Sequence, residues 1–154
     1  MQSIFPININ AAKFRELEAI DAPGAESMCV QIVDPEFASV CPRTGLPDFG
    51  TVVLQYIPRD KRVELKEWKL YLREFHGVGC FHEDCTQRIM KKVCDVLDPL
   101  WLRLTIIWGA RGGLHTTTQQ HYIHKDYHAR EKTGYSAFYT DFQEPVAAAG
   151  WSNR

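Results

Sequence analysis

Leu102, Leu104, Ile106 and Trp108 alternate with Trp101, Arg103, Thr105 and Ile107. A period of two is the pattern of a strand with one face on a core. Thr51–Ile57 is rich in β-formers and predicts a second such strand. Cys29–Val40, carrying Val30, Ile32 and Phe37, predicts an earlier one interrupted near Pro35. Beyond Gly112-Gly113, Leu114–Ile123 reads as a fourth and more polar strand. Between these pairs the period changes. Cys85, Ile89, Val93, Val96 and Leu97 recur at helical spacing, so Glu83–Asp98 predicts a helix stopped by Asp98-Pro99. Lys66–Phe75 predicts a shorter helix ended by Gly77 and Gly79. Ala11–Ile20 fits a third, with Ala22, Pro23 and Gly24 after it. Pro58–Lys61 reads as a turn, and residues 128–154 show no firm period.

The order strand, strand, helix, helix, strand, strand predicts an α+β domain. Two helices cover one face of a four-stranded antiparallel sheet. Such a sheet has two open edges, and subunits joined edge to edge in a ring would pair them. The 154 residues suffice for one domain. The chain divides into an N-terminal arm (1–26), a catalytic domain (27–127) and a C-terminal tail (128–154).

Composition narrows the function. With 45% hydrophobic and 24% charged residues the chain is ordinary for a globular protein. A net charge of −1 gives no global attraction to nucleic acid or an anionic membrane. The start, Met1-Gln-Ser-Ile-Phe-Pro6, has no basic segment followed by an apolar run, so no signal peptide is expected. No stretch reaches the length of a membrane span. Five cysteines, an odd number, predict free thiols in a reducing cytoplasm.

The chemistry concentrates in two segments. In Phe37-Ala-Ser-Val-Cys-Pro-Arg-Thr-Gly-Leu-Pro-Asp-Phe-Gly50, Pro42, Gly45 and Pro47 predict a tight loop. A loop that folds back brings the Cys41 thiol and the Asp48 carboxylate together, a nucleophile beside a proton donor or acceptor. Arg43, two residues from Cys41, favours the thiolate. In Phe81-His-Glu-Asp-Cys85, Glu83 suits a helix N-terminus. It can equally accept the paired N–H groups of a guanine-like base on which Phe81 stacks. Cys80, His82 and Cys85 could alternatively hold zinc, although their spacing is not that of common closed sites. Lys66 and Lys69 lie three apart at a helix start. They are either a solvated face or, with free helix N–H groups, a phosphate grip. Arg111-Gly-Gly113 is a tight basic turn able to reach an anion. Cys85 is either a core residue of the long helix or a disulfide partner that shields Cys41.

Ser39–Gly50, Glu64–Tyr71, Phe81–Cys85 and Arg111–Gly113, taken together, resemble the short form of the 7-cyano-7-deazaguanine reductases. These are NADPH-dependent nitrile reductases of queuosine biosynthesis. The resemblance covers residues 37 to about 114. It implies the tunnelling fold, with subunits assembled into a ring-shaped β-barrel and active sites between them. It implies that Cys41 adds to the nitrile carbon as a thioimide and that two NADPH deliver two hydrides. It further implies that Asp48 relays protons, that His82 assists, and that Glu83, Phe81 and Glu64 hold the substrate. On the same resemblance Leu65, Lys66, Lys69, Arg111 and Gly112 are expected to bind the cofactor, with no metal required. Two positions depart from the family pattern: Glu67 replaces a Ser or Ala, and His76-Gly77 replaces an Arg-Asn. Other readings stay open: an enzyme adding ammonia to the same nitrile on transfer RNA, a zinc-dependent cyclohydrolase, or a non-catalytic oligomer of the same fold.

Overall fold

A computed structural model of the chain describes residues 7–127, and the tail expected over 128–154 lies outside them. The strands are β1 (Ile7–Asn8), β2 (Ala19–Asp21), β3 (Val30–Val40), β4 (Pro47–Ile57), β5 (Lys61–Val63), β6 (Val78–Gly79), β7 (Trp101–Trp108) and β8 (Thr117–Ile123). The helices are α1 (Leu65–Arg73) and α2 (His82–Leu97), with a 3-10 turn at Glu74–Gly77 after α1.

The fold is α+β. The four strands expected from the sequence pair antiparallel in the order β3-β4-β7-β8. The sheet is larger than that and mixed. β6 lies parallel to β3, and β1 lies parallel to β6, giving six strands. These two additions are two residues long each, too short for any periodicity to reveal. The interruption at Pro35 is a β-bulge between Asp34 and Phe37, as suits a residue with no N–H to give a ladder.

One face of the sheet meets both helices. Val52, Leu54 and Tyr56 of β4 and Leu102, Leu104 and Ile106 of β7 join one buried cluster with Trp68, Tyr71 and Leu72 of α1. Cys85, Ile89, Val93 and Leu97 of α2 join it too. The alternation along β7 and the stripe along α2 therefore describe two sides of the same core. On the other face Gln31, Gln55 and Arg103 stand in register. Gln55 donates to Gln31 at 2.7 Å, and Arg103 donates to Gln55 at 2.7 Å.

No helix forms over Ala11–Ile20. Its last residues belong to β2, which pairs antiparallel with β5. The stretch before is an irregular strap across both helices. Phe14 packs on Tyr71 and Phe75, Leu17 enters the core, Arg15 pairs with Glu67 of α1, and Glu16 pairs with Lys92 of α2. A helix of ten residues is marginal on its own. Here contacts to two other helices outweigh its local preference.

The cysteines are not all free. Cys80 and Cys85 are joined in a buried disulfide, with their Cα atoms 6.1 Å apart. Cys85 is thus a core residue of α2, and its partner is Cys80 rather than Cys41. Among the described residues no helix is long and apolar enough to cross a membrane.

Candidate active site

Cys41 sits at the turn between β3 and β4. Its N–H donates to the carbonyl of Leu46 at 2.8 Å, and its own carbonyl accepts from Gly45 at 2.9 Å. Gly45 has φ of +70°, where only glycine is unstrained. The loop is shorter than its prolines suggest, because Pro47 already opens β4 and Asp48 is a strand residue paired with Ser39. Asp48 is 3% exposed and Cys41 8%.

The structure joins the two through Arg111. The Gly112-Gly113 turn closes tightly, with reciprocal bonds between Arg111 and Leu114 at 3.0 and 2.9 Å. Both glycines have positive φ, as a two-residue hairpin needs. That turn sends the guanidinium back over the Cys41 loop. Arg111 Nη1 lies 2.7 Å from Asp48 Oδ1, and Nη2 donates to Thr44 Oγ1 at 3.1 Å. Hydrogen bonds from Thr44 and then Arg111 lower the Cys41 thiol to about 7, against a smaller rise from burial. A substantial fraction is therefore thiolate at neutral pH.

His82 opens α2 on the other side of Asp48. Its Nε2 stands 3.7 Å from Asp48 Oδ2, beyond a direct hydrogen bond. The ring lies flat on Trp108, with centroids 3.9 Å apart and planes 7° from parallel. Gly50 is the strand partner of Trp108, and a Cβ there would crowd the backbone, standing 3.2 Å from the Ile107 carbonyl. Trp108 Nε1 donates to Thr118 Oγ1 at 3.0 Å. Thr118 lies 2.6 Å from Thr86 Oγ1, and Thr86 bonds the His82 carbonyl at 3.0 Å. Burial lowers the His82 pKa more than the neighbouring Asp48 raises it, which keeps the imidazole neutral at pH 7. Phe81 and Glu83 flank His82 and are exposed. Leu46, Phe49 and Leu114 add exposed apolar surface around the same cluster.

The residues expected to hold cofactor divide. Arg111 belongs to the Cys41 cluster. Glu64, Leu65, Lys66 and Lys69 belong to the start of α1. There Glu64 caps the helix, accepting from Lys66 N at 3.2 Å and Glu67 N at 2.7 Å. These donors, expected to be free for a phosphate, are occupied. The two lysine side chains remain exposed. Glu64 and Leu65 line a groove of about 320 Å³ with Val30 and Ile32, at the opening end of β3. Cys41 lies just past its closing end. The nine residues from Ile32 to Cys41 span about 25–30 Å at ~3.3 Å per residue.

The zinc alternative conflicts with the disulfide, since the Cys80 and Cys85 sulfurs are bonded to each other. Among the described residues no cluster of three metal-ligating side chains occurs.

A family model described as "QueF-like protein" matches residues 47–127, more than half of the chain. The chain belongs to this family. The matched span holds Asp48, His82, Glu83 and Arg111 and begins just after Cys41. Curated relatives of the QueF-like chain include three named NADPH-dependent 7-cyano-7-deazaguanine reductase. That of Granulibacter bethesdensis is 49% identical over 92 residues, 60% of each chain. That of Syntrophobacter fumaroxidans is 48% identical over 85 residues, 55% of each chain. That of Chloroherpeton thalassium is 47% identical over 93 residues, 60% of this chain and 80% of the relative. The match thus spans little more than half the length of the first two. The crystal structure of an archaeosine synthase described as QueF-Like, in the apo form, superposes with a TM-score of 0.57. It is 22% identical and covers 60% of this chain and 91% of that one, a likeness of fold.

Thr44 and Trp108 are the site residues that the sequence did not single out. Thr44 lies inside the quoted loop, three residues from Cys41, so its reach was legible in principle. Trp108 reads only as the last core residue of a strand. Its stacking partner is 26 residues away (108 minus 82), and nothing local announces it.

Proposed function

We propose that this protein reduces the nitrile of 7-cyano-7-deazaguanine to an aminomethyl group with NADPH, a step of queuosine biosynthesis. The observation that carries this reading is the Cys41 thiol held by Thr44 and Arg111, with Asp48 on the same guanidinium and His82 beyond it. The relatives' shared name points to the same chemistry.

Cys41 thiolate adds to the electrophilic nitrile carbon. The C–S bond forms, the C≡N bond becomes C=N, and the nitrogen takes a proton to give a thioimide. Asp48 and His82 lie side by side, so a proton taken up by either can be handed to that nitrogen. Once the thioimide carbon has been reduced, the nitrogen lone pair expels sulfur: the C–S bond breaks, a C=N bond forms, and the resulting imine is what the second reduction converts to the aminomethyl group. Sulfur leaves as the thiolate that Thr44 and Arg111 stabilise. Glu83, exposed beside His82, offers two acceptor oxygens to the ring N–H groups of the deazaguanine, and Phe81 offers a stacking face.

NADPH, when bound, supplies hydride, and nitrile to amine requires two. Lys66 and Lys69 fit its phosphates as exposed ammonium groups, whereas the capped helix N–H groups do not. Within one protomer these lysines and Glu64 are remote from Cys41. A second copy docked head to tail would unite them. It would bring exposed Ile20 and Leu65 of one subunit near exposed Leu46, Phe49 and Phe81 of the next. Heterologous contacts of this kind form rings where the rotation between successive subunits closes.

The test mixes protein, 7-cyano-7-deazaguanine and NADPH and follows nicotinamide absorbance. Two NADPH should be consumed per nitrile. Without NADPH, intact-mass analysis should show one substrate mass added to wild type and none to Cys41→Ala. An adduct on the mutant would remove Cys41 from the chemistry.

A further inference from the structure

Glu67 is a carboxylate with 11% of its side chain exposed, on the first turn of α1 between the two lysines. Its oxygens take one cation each. Oε2 lies 2.6 Å from Arg15 Nη2, and Oε1 lies 3.2 Å from Lys66 Nζ. Lys66 keeps 73% of its side chain in solvent. A charge so far removed from water must be matched by a cation close at hand.

We propose that Arg15 is a positioning residue for dinucleotide binding: by satisfying Glu67 it leaves the Lys66 ammonium available to a phosphate. This rests on the reading of Lys66 as a phosphate ligand. The argument is one of charge. Arg15, Glu67 and Lys66 together carry +1. Without Arg15 the pair left behind carries zero, and Glu67 draws Lys66 down as its sole partner. The N-terminal strap thereby offsets a carboxylate that otherwise opposes an anion beside it. Arg15 is not what holds the strap in place. Phe14 packs 4.5 Å from Phe75, Leu17 is buried, and β2 pairs with β5.

The test titrates NADPH into full-length protein by nicotinamide fluorescence. It is repeated as the NADPH KM at saturating nitrile. Arg15→Ala should weaken NADPH about fivefold, the scale of one partly exposed charge. Its kcat and its rate of Cys41 adduct formation should stay within about twofold of wild type. Arg15→Lys should retain most of the affinity. Glu67→Ala should bind NADPH more tightly than wild type, a gain that misfolding cannot mimic. Arg15→Ala/Glu67→Ala should return to wild-type affinity or better. Unchanged affinity in Arg15→Ala, or a double variant no better than Arg15→Ala, would overturn the proposal even if melting shows the strap loosened. Wild-type protein that neither binds nor oxidises NADPH would instead sink the functional reading, and this inference with it.

Discussion

Arg111 Nη1 stands 2.7 Å from Asp48 Oδ1 while the same guanidinium bonds the Cys41 thiol. One cation therefore touches both the proposed nucleophile, Cys41, and the proposed acid–base group, Asp48. The carboxylate holds the guanidinium in place, and the guanidinium favours the thiolate. The consequence is that Asp48 shapes Cys41 reactivity without touching it.

Thr44 is the largest single cause of the lowered Cys41 pKa. Iodoacetamide alkylation of Cys41 should rise with pH to a plateau, with its midpoint near 7. In Thr44→Val the midpoint should move toward that of a free cysteine, about 8.5. At pH 7 the rate should drop by about three- to fourfold, well short of the loss of thiolate, because a more basic thiolate attacks faster. Superimposable pH profiles would show that Thr44 does not tune the thiol.

Asp48→Asn separates the two roles of the carboxylate. Cys41 should still form the nitrile adduct, since Thr44 remains. Turnover should fall by a factor of about 10²–10⁴, the usual weight of a positioned acid–base group. Measuring adduct mass and NADPH oxidation on the same sample decides it. Parallel loss of both would mean that Asp48 is already required for adduct formation, through Arg111 or as the proton donor to the nitrile nitrogen, and has no separate role in turnover.

His82 gives a pH signature in stability. Its pKa in the folded protein lies below that of the unfolded chain, chiefly through burial. As pH falls through about 6.5 the unfolded state takes the proton first. Stability present at neutral pH is then lost until the folded pKa is reached. His82→Phe keeps a ring on Trp108 and cannot ionise. Its melting temperature should therefore fall less than that of wild type between about pH 7 and 5.5. Equal slopes would show that His82 is not the group responsible.

How much of this was legible in the sequence depends on the range of the interaction. Trp101–Trp108 and Cys85–Leu97 show their periods locally, so β7 and α2 were readable almost to the residue. Gly112-Gly113 announced a tight turn but not that it aims Arg111 at Asp48, because that requires the β7–β8 hairpin to lie beside the Cys41 loop. The strap failed for the opposite reason. Ala11–Ile20 has local helical character, and Phe14, Arg15 and Leu17 are claimed by α1, α2 and the core instead. Glu67 looked out of place beside two lysines until Arg15, 52 residues earlier, supplied its partner.

Glu83→Gln tests the substrate edge. Gln preserves length but places an N–H₂ group where a ligand N–H is expected. Losing a charged acceptor and creating a donor clash should cost about 3 kcal/mol of binding free energy, more than a hundredfold in affinity. The melting temperature should hardly change, since Glu83 is exposed on the first turn of α2. Calorimetric titration with 7-cyano-7-deazaguanine on a Cys41→Ala background isolates binding from adduct formation. Equal affinity in both proteins would remove Glu83 from the site.

The disulfide offers the last test, because two pairings make different peptides. Trypsin should release residues 74–88, which hold Cys80 and Cys85, and residues 16–43, which hold Cys29 and Cys41. A further chymotryptic cut of the 16–43 peptide after Phe37 separates Cys29 from Cys41. With Cys80 joined to Cys85, peptide 74–88 is closed on itself. It should run two hydrogens light, resist alkylation until reduced, and leave Cys41 to be alkylated on its own peptide. A Cys41–Cys85 bond would instead link the two peptides into one species that dithiothreitol separates. Cys80 N donates to the Val40 carbonyl at 3.0 Å, so the Cys80–Cys85 pair is anchored on the residue preceding Cys41. Closing so short a loop should stabilise the protein by about 2 kcal/mol. Unfolding with and without dithiothreitol should therefore differ by several degrees. A cross-linked 16–43/74–88 species in freshly purified protein would overturn the Cys80–Cys85 pairing.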